Sequence, residues 1–287
     1  MLKNGIAYKA LVRFSVIDST QIVRAATEKH GLSPISAVAL GRLLTGAALM
    51  IPWLSEKETL TYIIEGSNQI KYIASQAKSD GTVRGYVIPK IVETMTNELG
   101  KFDLKKAIGR GTLKVVRDLN LKTPYVTPVE LVSGEIAEDL AHYFAVSEQL
   151  PTAIALGVLV DKNGIKKAGG IVIQILDKNL PESDILEIEK KFKEITPISN
   201  FLENNTVEDV VKHIFGDKIE KIEEREVEFK CNCSYQKAVE SLKLLKVDEL
   251  KEMLNEGKAE VECKWCSTKY YIEKEDIEKI LEEKEEK

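Results

Sequence analysis

The sequence contains few of the residues that usually carry chemistry. Its 287 residues include four cysteines, three histidines and two tryptophans. The first 230 residues contain no cysteine, and all four thiols fall between Cys231 and Cys266. Disulfides distributed through the fold are therefore excluded, because they need cysteines along the whole chain. Any thiol chemistry is confined to one place near the end of the chain.

Common catalytic and nucleotide-binding motifs are also missing. The chain has no G-x-x-x-x-G-K-[ST] P-loop, no G-x-S-x-G nucleophile elbow and no H-E-x-x-H zinc-protease motif. The stretch GRGTLK at 109–114 lacks the third glycine of a dinucleotide-binding loop. His30, His142 and His213 are scattered over predicted helices, and we interpret them as surface or packing residues. These absences argue against ATP binding and against an enzyme.

We expect neither a signal peptide nor a membrane span. The opening MLKNGIAYKALVRF has no uninterrupted apolar stretch and no small-residue cleavage site. The most apolar stretch, 35–51, is short for a span and carries Arg42, whose charge is costly in lipid. With Ser33 as N-cap and Pro34 at the first helical position, it is predicted as a buried helix. We therefore expect a cytoplasmic protein, in a compartment where clustered cysteines are metal ligands or redox groups.

Negative charge is concentrated in the C-terminal third. Residues 1–180 hold 22 basic and 17 acidic side chains, a net of +5, whereas residues 181–287 hold 19 and 29, a net of −10. A nucleic-acid surface needs positive side chains to neutralise phosphates. The acidic C-terminal third therefore argues against a nucleic-acid partner.

The N-terminal segment, residues 1–178, is predicted to be an α+β domain because strand-like and helix-like patterns alternate along it. Residues 6–17 are predicted as one strand, and the helix after it has Asp18 as N-cap and Gly31 as its stop. Further strands are predicted at 59–66, 69–77, 81–88, 111–119, 126–133, 152–160 and 168–176, with a helix at 134–150. Since IVIQIL at 171–176 is apolar on both faces, its strand should lie inside a sheet.

Residues 179–225 are predicted to be an amphipathic helical linker. Apolar residues recur at helical spacing, Pro197 interrupts the pattern, and Thr206 and Gly216 bound a second helix. The apolar stripe consists of Ile185, Ile188, Phe192, Ile195, Val207, Val210, Val211, Ile214 and Phe215. Helices this short are marginal alone, so we expect the stripe to pack on another element.

Residues 226–287 are predicted to form a small C-terminal unit with a short strand, two helices, a hairpin and a closing helix at 274–287. Its predicted core is Phe229, Leu242, Leu245, Leu250, Val261, Trp265, Tyr270 and Tyr271. So few apolar residues rarely hold a unit together without a metal or a crosslink.

The four cysteines form a Cys-x-Cys hook and a Cys-x-x-Cys hook separated by 29 residues. Cys231 and Cys233 leave the same face of an extended chain, and Cys263 and Cys266 share a turn. Four thiolates from two such hooks can close a tetrahedral zinc site. We therefore predict that all four bind one Zn²⁺ in a C-terminal zinc domain, where binding would contribute roughly 10–16 kcal/mol to folding.

The cysteine pattern leaves three interpretations open: a permanent zinc staple, a pair of disulfides, or a switch between the two. A disulfide between residues two apart closes a small strained ring, and strained disulfides are the easily reduced, regulatory kind. Nearby Lys230, Lys264 and Lys269 favour the thiolate, which oxidants attack. The spacing thus adds weight to the switch, while the staple stays open.

Four stretches together resemble a known family. VEFKCNCS (227–234) and CKWCSTKYY (263–271), with HYFAVSEQLPT (142–152) and AGGIVIQIL (168–176), are similar to the redox-regulated 33 kDa heat-shock chaperone family, also called the 33 kDa chaperonin. The similarity covers essentially the whole chain in the same order. This sequence departs from the family pattern after the first hook, where Tyr235 and Gln236 replace basic residues, and at Ser267, where family members often carry glycine.

The resemblance implies an ATP-independent chaperone that holds unfolding proteins. In its reduced state the four cysteines bind zinc and the chaperone is inactive. Oxidation pairs Cys231 with Cys233 and Cys263 with Cys266, releases zinc and loosens the linker, and a homodimer accompanies activation. We add the hypothesis that part of the linker stripe binds client proteins. Those residues are Ile185, Ile188, Phe192, Ile195, Val207, Val211 and Phe215.

Two rival functions belong to other classes. A nucleic-acid-binding zinc module is disfavoured because residues 226–287 carry 12 basic and 17 acidic side chains. A thiol oxidoreductase using Cys263 and Cys266 would reduce insulin disulfides. We expect no such activity, because CKWC follows a strand in a four-cysteine context rather than in a βαβ unit.

Overall fold

The structure is a computed structural model that describes residues 1–98, 100–256 and 259–285. It divides into two compact units, Met1–Phe229 and Lys230–Lys287, and the α+β class is confirmed. The helices are α1 Thr20–His30, α2 Pro34–Ala48, α3 Leu104–Ile108, α4 Ala137–Val146, α5 Glu182–Glu194, α6 Ile198–Asn204, α7 Val207–Phe215, α8 Tyr235–Leu242, α9 Val247–Glu256 and α10 Lys274–Glu285. The strands are β1 Leu2–Ala7, β2 Val12–Asp18, β3 Thr59–Gly66, β4 Tyr72–Lys78, β5 Thr82–Ile88, β6 Gly111–Asp118, β7 Tyr125–Glu130, β8 Thr152–Asp161, β9 Gly164–Ile175, β10 Ile219–Arg225, β11 Glu228–Phe229, β12 Ala259–Glu262 and β13 Lys269–Ile272.

Two sheets form the first unit. The first sheet has the strand order β10-β1-β2-β9-β8, and the second has the order β11-β5-β4-β3-β6-β7. All pairs are antiparallel except β11 with β5. Strand β9 lies between β2 and β8, as its two apolar faces predict. Val172 belongs to one core cluster and Ile171 and Ile173 to another, so both faces of β9 are covered.

Helix α2 fills the main core of the first unit. It begins at Pro34 with Ser33 as N-cap, as predicted, and packs against strands of both sheets. Residues Pro34–Trp53 are apolar enough to span a membrane by length and composition, yet 89% of that window is buried. Arg42 pairs with Glu135 through an Nη1–Oε2 distance of 2.6 Å. The apolar stretch is therefore a core helix of a folded unit.

The outer face of the first sheet is covered by α5, α6 and α7. Phe215 of α7 stacks on Phe14 of β2, with ring centroids 4.4 Å apart. Helix α6 packs on β9 at Gly169, where a Cβ would lie 2.3 Å from Cδ1 of Leu202 and 2.6 Å from the backbone oxygen of Ile17. Because the backbone oxygen cannot move aside as a side chain can, glycine fits best at this position. The predicted linker thus packs on the first sheet and belongs to the first compact unit. The domain boundary at residue 178, which separates the linker from the N-terminal domain, stays a prediction. The division into compact units does not tell which segments can leave the first sheet.

Two local predictions in this unit are wrong. Residues 6–17 are not one strand: β1 and β2 form a hairpin whose turn holds Tyr8, Lys9 and Ala10 at positive φ values of 55°, 56° and 62°. The turn contains no glycine or asparagine, so the sequence does not signal it. Residues 219–225 are not helical but form β10, a charged strand at the edge of the first sheet. Charged side chains are common on edge strands, and they obscured the strand pattern.

The second unit packs α8, α9 and α10 around the β12–β13 hairpin. Its buried cluster contains Ala238, Leu242, Leu250, Ala259, Ile272, Ile277, Ile280 and Leu281. The predicted core is partly wrong: Phe229 packs in the first unit, and Tyr271 is 62% exposed. Three apolar residues of the closing helix α10 take their place, and residues 286 and 287 of that predicted helix lie outside the described residues.

Candidate metal centre

The first cysteine hook is fixed by the helix that follows it. The Ser234 side chain caps α8 by accepting a hydrogen bond from the Lys237 amide at 3.3 Å. The hydroxyl of Tyr235 donates to Asp276 Oδ2 at 2.8 Å and accepts from the Glu273 amide at 3.0 Å. Tyr235 therefore ties the segment after Cys233 to the start of α10.

The second hook is the turn that joins β12 to β13. The Cys263 amide donates to the Thr268 carbonyl at 2.9 Å, and the amides of Cys266 and Ser267 donate to the Cys263 carbonyl at 3.2 and 2.7 Å. Ser267 has a φ of 55°, a left-handed conformation that glycine adopts most readily. These bonds fold the turn tightly, so both sulfur atoms lie on its inner side with those of the first hook.

The four sulfur atoms converge to within 4.8 Å of one another. The Sγ atoms of Cys231 and Cys263 are 3.8 Å apart, and those of Cys233 and Cys266 are 3.4 Å apart. In a tetrahedral zinc–thiolate site with Zn–S bonds of ~2.3 Å, the sulfur–sulfur edges are about 3.8 Å. All four residues are free thiols. Donor chemistry and spacing both fit a closed four-cysteine zinc site.

The surroundings of the cluster shift the pKa values of its thiols in different directions. Burial raises the pKa of Cys263 to about 12. For Cys266 burial acts in the same upward direction, but hydrogen bonds from the hydroxyl and the amide of Thr268 outweigh it and lower the pKa to about 7. Tyr270 donates to Cys233 Sγ at 3.1 Å, which raises the pKa of Tyr270 to about 12. The two thiols of the second hook therefore differ in acidity, and Cys266 is the more acidic of the two.

Thr268 and Tyr270 were not identified as site residues from the sequence. Tyr270 was predicted only as a core residue, and Thr268 was not singled out. The signal that could have found them is their position: both lie within four residues of Cys266, Thr268 directly before the returning strand β13 and Tyr270 on it. Such outer partners orient ligands and tune their basicity.

The seven client-binding candidates lie together in the other compact unit. All belong to one cluster on the outer face of the first sheet. Ile185 and Phe192 are half-buried, and the rest are buried, with Val211 fully inaccessible to solvent. The structure therefore holds the five buried side chains out of reach of another protein and leaves Ile185 and Phe192 partly accessible.

Comparisons with known proteins agree over the full length. Residues 1–273 match the model of the Hsp33 protein family. The 33 kDa chaperonin of Thermosipho melanesiensis is 73% identical over 99% of each chain. That of Clostridium perfringens is 42% identical over 99% of this chain and 92% of its own. The crystal structure of the Thermotoga maritima 33 kDa chaperonin superposes with a TM-score of 0.96 at 47% identity, covering 100% of this chain and 99% of that one.

We predict that Thr268→Val weakens metal binding about 10- to 100-fold, the usual cost of losing an outer-shell partner. The valine has the shape of threonine but no hydroxyl to contact Cys266 Sγ, which now lies 3.2 Å from Thr268 Oγ1. The measurement is a zinc competition titration against a chromophoric chelator. Thr268→Ser, which keeps the hydroxyl, is the matched control and should bind as the parent chain does. Equal affinity of the valine variant and the parent would contradict the role given to Thr268.

Proposed function

The chain belongs to the Hsp33 protein family, and from this premise we propose that it is a redox-regulated holdase whose four cysteines form the switch. It is a chaperone and not an enzyme, and its partners are client proteins. We propose that it works in the cytoplasm without ATP, without nucleic acid and without a membrane. The observation that carries the proposal is the convergence of every thiol of the chain on one cluster.

In the reduced state Cys231, Cys233, Cys263 and Cys266 would hold one Zn²⁺. Zinc bound there supplies a crosslink between two segments that are 29 residues apart in sequence. The surrounding unit needs such a crosslink, because its buried cluster consists of eight side chains and units below ~70–80 residues rarely hold together on apolar burial alone. We infer that loss of the crosslink unfolds this unit.

Oxidation removes the thiolates that hold the metal. For each pair, two thiols give up two protons and two electrons to hydrogen peroxide, one S–S bond forms, and the peroxide is reduced to two water molecules. Following the family resemblance, we propose the pairs Cys231–Cys233 and Cys263–Cys266. Distance in the reduced cluster does not select these pairs, since all four sulfur atoms lie within 4.8 Å and the separations of 3.4 and 3.8 Å join one hook to the other. The short ring of the first pair favours re-reduction.

The linker is connected to the switch through the chain itself. After α7 the chain forms β10 on the first sheet and β11 on the second, and a single residue separates Phe229 from Cys231. The helices α5, α6 and α7 have 13, 7 and 9 residues, lengths at which helices depend on packing for stability. We propose that unfolding of the second unit frees these helices from the first sheet. Their apolar stripe then binds clients, and a homodimer forms on activation.

Peroxide treatment of the reduced protein should release one zinc per chain and switch on suppression of aggregation of a heat-unfolded test enzyme. Zinc is measured with a chromophoric chelator, aggregation by light scattering, and the disulfide pairs by peptide mass mapping. Reduction with a dithiol and zinc should restore the inactive state. If zinc remains bound after oxidation, or if suppression does not rise, the switch is wrong and a permanent staple remains.

In the oxidised protein, Phe192→Ser should weaken suppression of aggregation severalfold, because it removes a large apolar side chain from the proposed client surface. Leu186→Ser is the matched control: Leu186 lies on the same helix but is 58% exposed and outside the stripe. Both variants are assayed by light scattering at equal concentration. Equal activity of the two variants would argue against the stripe as the client surface.

A further inference from the structure

A cavity in the first unit is lined by none of the four cysteines. It is lined by residues of β2, β3 and β6, by the turn after α2, and by α4 with the segment that follows it. Its volume is about 190 Å³, smaller than the ~300–1,000 Å³ of sites for drug-sized molecules. Leu60, Val115 and Phe144 give it an apolar wall. A cavity of this kind suits a molecule with a short apolar body.

Arg13 brings an unpaired positive charge to this cavity. Its guanidinium lies over the Trp53 ring, 4.3 Å from the centroid, and its Nε donates to Gln174 Oε1 at 2.7 Å. Among the described residues no carboxylate pairs with it, and its two terminal nitrogens keep their donors. Burial and the nearby Arg117 lower the pKa of Arg13, whereas Glu148 acts on it in the opposite direction without forming an ion pair with it, so the site favours a further negative charge beside the guanidinium. A carboxylate would supply one with paired hydrogen bonds.

Tyr62 places a hydroxyl in the same cavity without a partner. The residue is fully buried, and within the described part of the chain its Oη atom makes no hydrogen bond. Burial raises the pKa of Tyr62, so the group stays protonated and can donate. A buried polar atom without a partner costs about 1–3 kcal/mol and requires an explanation. A bound acceptor would provide one.

The other charged groups that line the cavity are Arg117, which is in an ion pair, and Glu148, which is in none. Arg117 Nε donates to Glu58 Oε1 at 2.8 Å, so these two neutralise each other. Glu148 is exposed, and its Oε1 accepts from the Tyr143 hydroxyl at 2.6 Å. Its Oε2 has no partner among the residues that the structure describes. The cavity is therefore lined by a half-buried cation, a buried hydroxyl without a partner among the described residues, and an exposed carboxylate with one free oxygen.

We propose that this cavity binds a small zwitterion of amino-acid size. The ligand's carboxylate meets Arg13 and Tyr62, and its ammonium faces Glu148. Its short apolar body lies against the wall formed by Leu60, Val115 and Phe144. A simple anion would meet Glu148 as a like charge, and a simple amine would meet Arg13 in the same way. A molecule with both charges can meet both groups at once.

Calorimetric titration of the reduced full-length protein with three probes tests the proposal. The probes are L-leucine, 4-methylpentanoate, which lacks the ammonium, and 3-methylbutylamine, which lacks the carboxylate. Leucine should bind at least tenfold more tightly than either of the others and should raise the melting temperature, because it binds the folded state. Absence of leucine binding at millimolar concentration would mean that the cavity holds only water, and would overturn the proposal, as would equal binding of all three probes.

Variants locate the site. Arg13→Gln should weaken leucine binding at least tenfold and Tyr62→Phe severalfold. The latter removes a hydroxyl that bonds to nothing, so it should fold normally. Glu148→Gln should abolish the preference for leucine over 4-methylpentanoate. Arg24→Gln is the matched control, because Arg24 binds the carbonyls of Ile165 and Lys166 outside the cavity. Leucine binding that survives Arg13→Gln unchanged would overturn the assignment.

Discussion

The convergence of four sulfur atoms is the constraint on which the C-terminal unit depends. The buried cluster around Leu250 is small, and the two cysteine hooks are the segments of this unit that a metal can join. A structural zinc site is worth roughly 10–16 kcal/mol of apparent binding free energy, which is comparable to the whole stability of an ordinary domain, about 5–15 kcal/mol. In the proposed switch, chemistry at these sulfur atoms would therefore decide whether the unit is folded.

The linker also depends on packing for its stability. Its helices cover the outer face of the first sheet with side chains such as Ile195 and Phe215 that are almost fully buried, so the apolar stripe is stable only while it is packed. A chaperone needs an apolar surface that is hidden at rest and available under stress. Packing the stripe against Phe14 satisfies the first condition. Connecting it through β10 and β11 to the metal centre would satisfy the second.

Much of this organisation could be predicted from the sequence, where local pattern and chemistry agree. The buried helix beginning at Pro34, the interior strand β9 and the convergence of the cysteines follow from periodicity, capping and ligand spacing. The β1–β2 turn could not be predicted, because Tyr8 and its neighbours adopt positive φ without glycine. The burial of Ile277 in the core of the second unit could not be predicted either, since a charged helix near the chain end resembles a solvated tail. The cavity proposed as a binding site could not be predicted from the sequence, because Arg13, Tyr62 and Glu148 are far apart along the chain.

The central claim is that oxidation at the cysteines releases helices in the other compact unit. Hydrogen–deuterium exchange, measured by mass spectrometry on the reduced zinc-loaded and the peroxide-oxidised protein, tests it directly. The account predicts that amides of α5, α6 and α7 exchange much faster after oxidation, while amides of β8 and β9 in the same unit remain protected. Unchanged exchange in α5–α7, in protein that has lost its zinc and formed both disulfides, would contradict it.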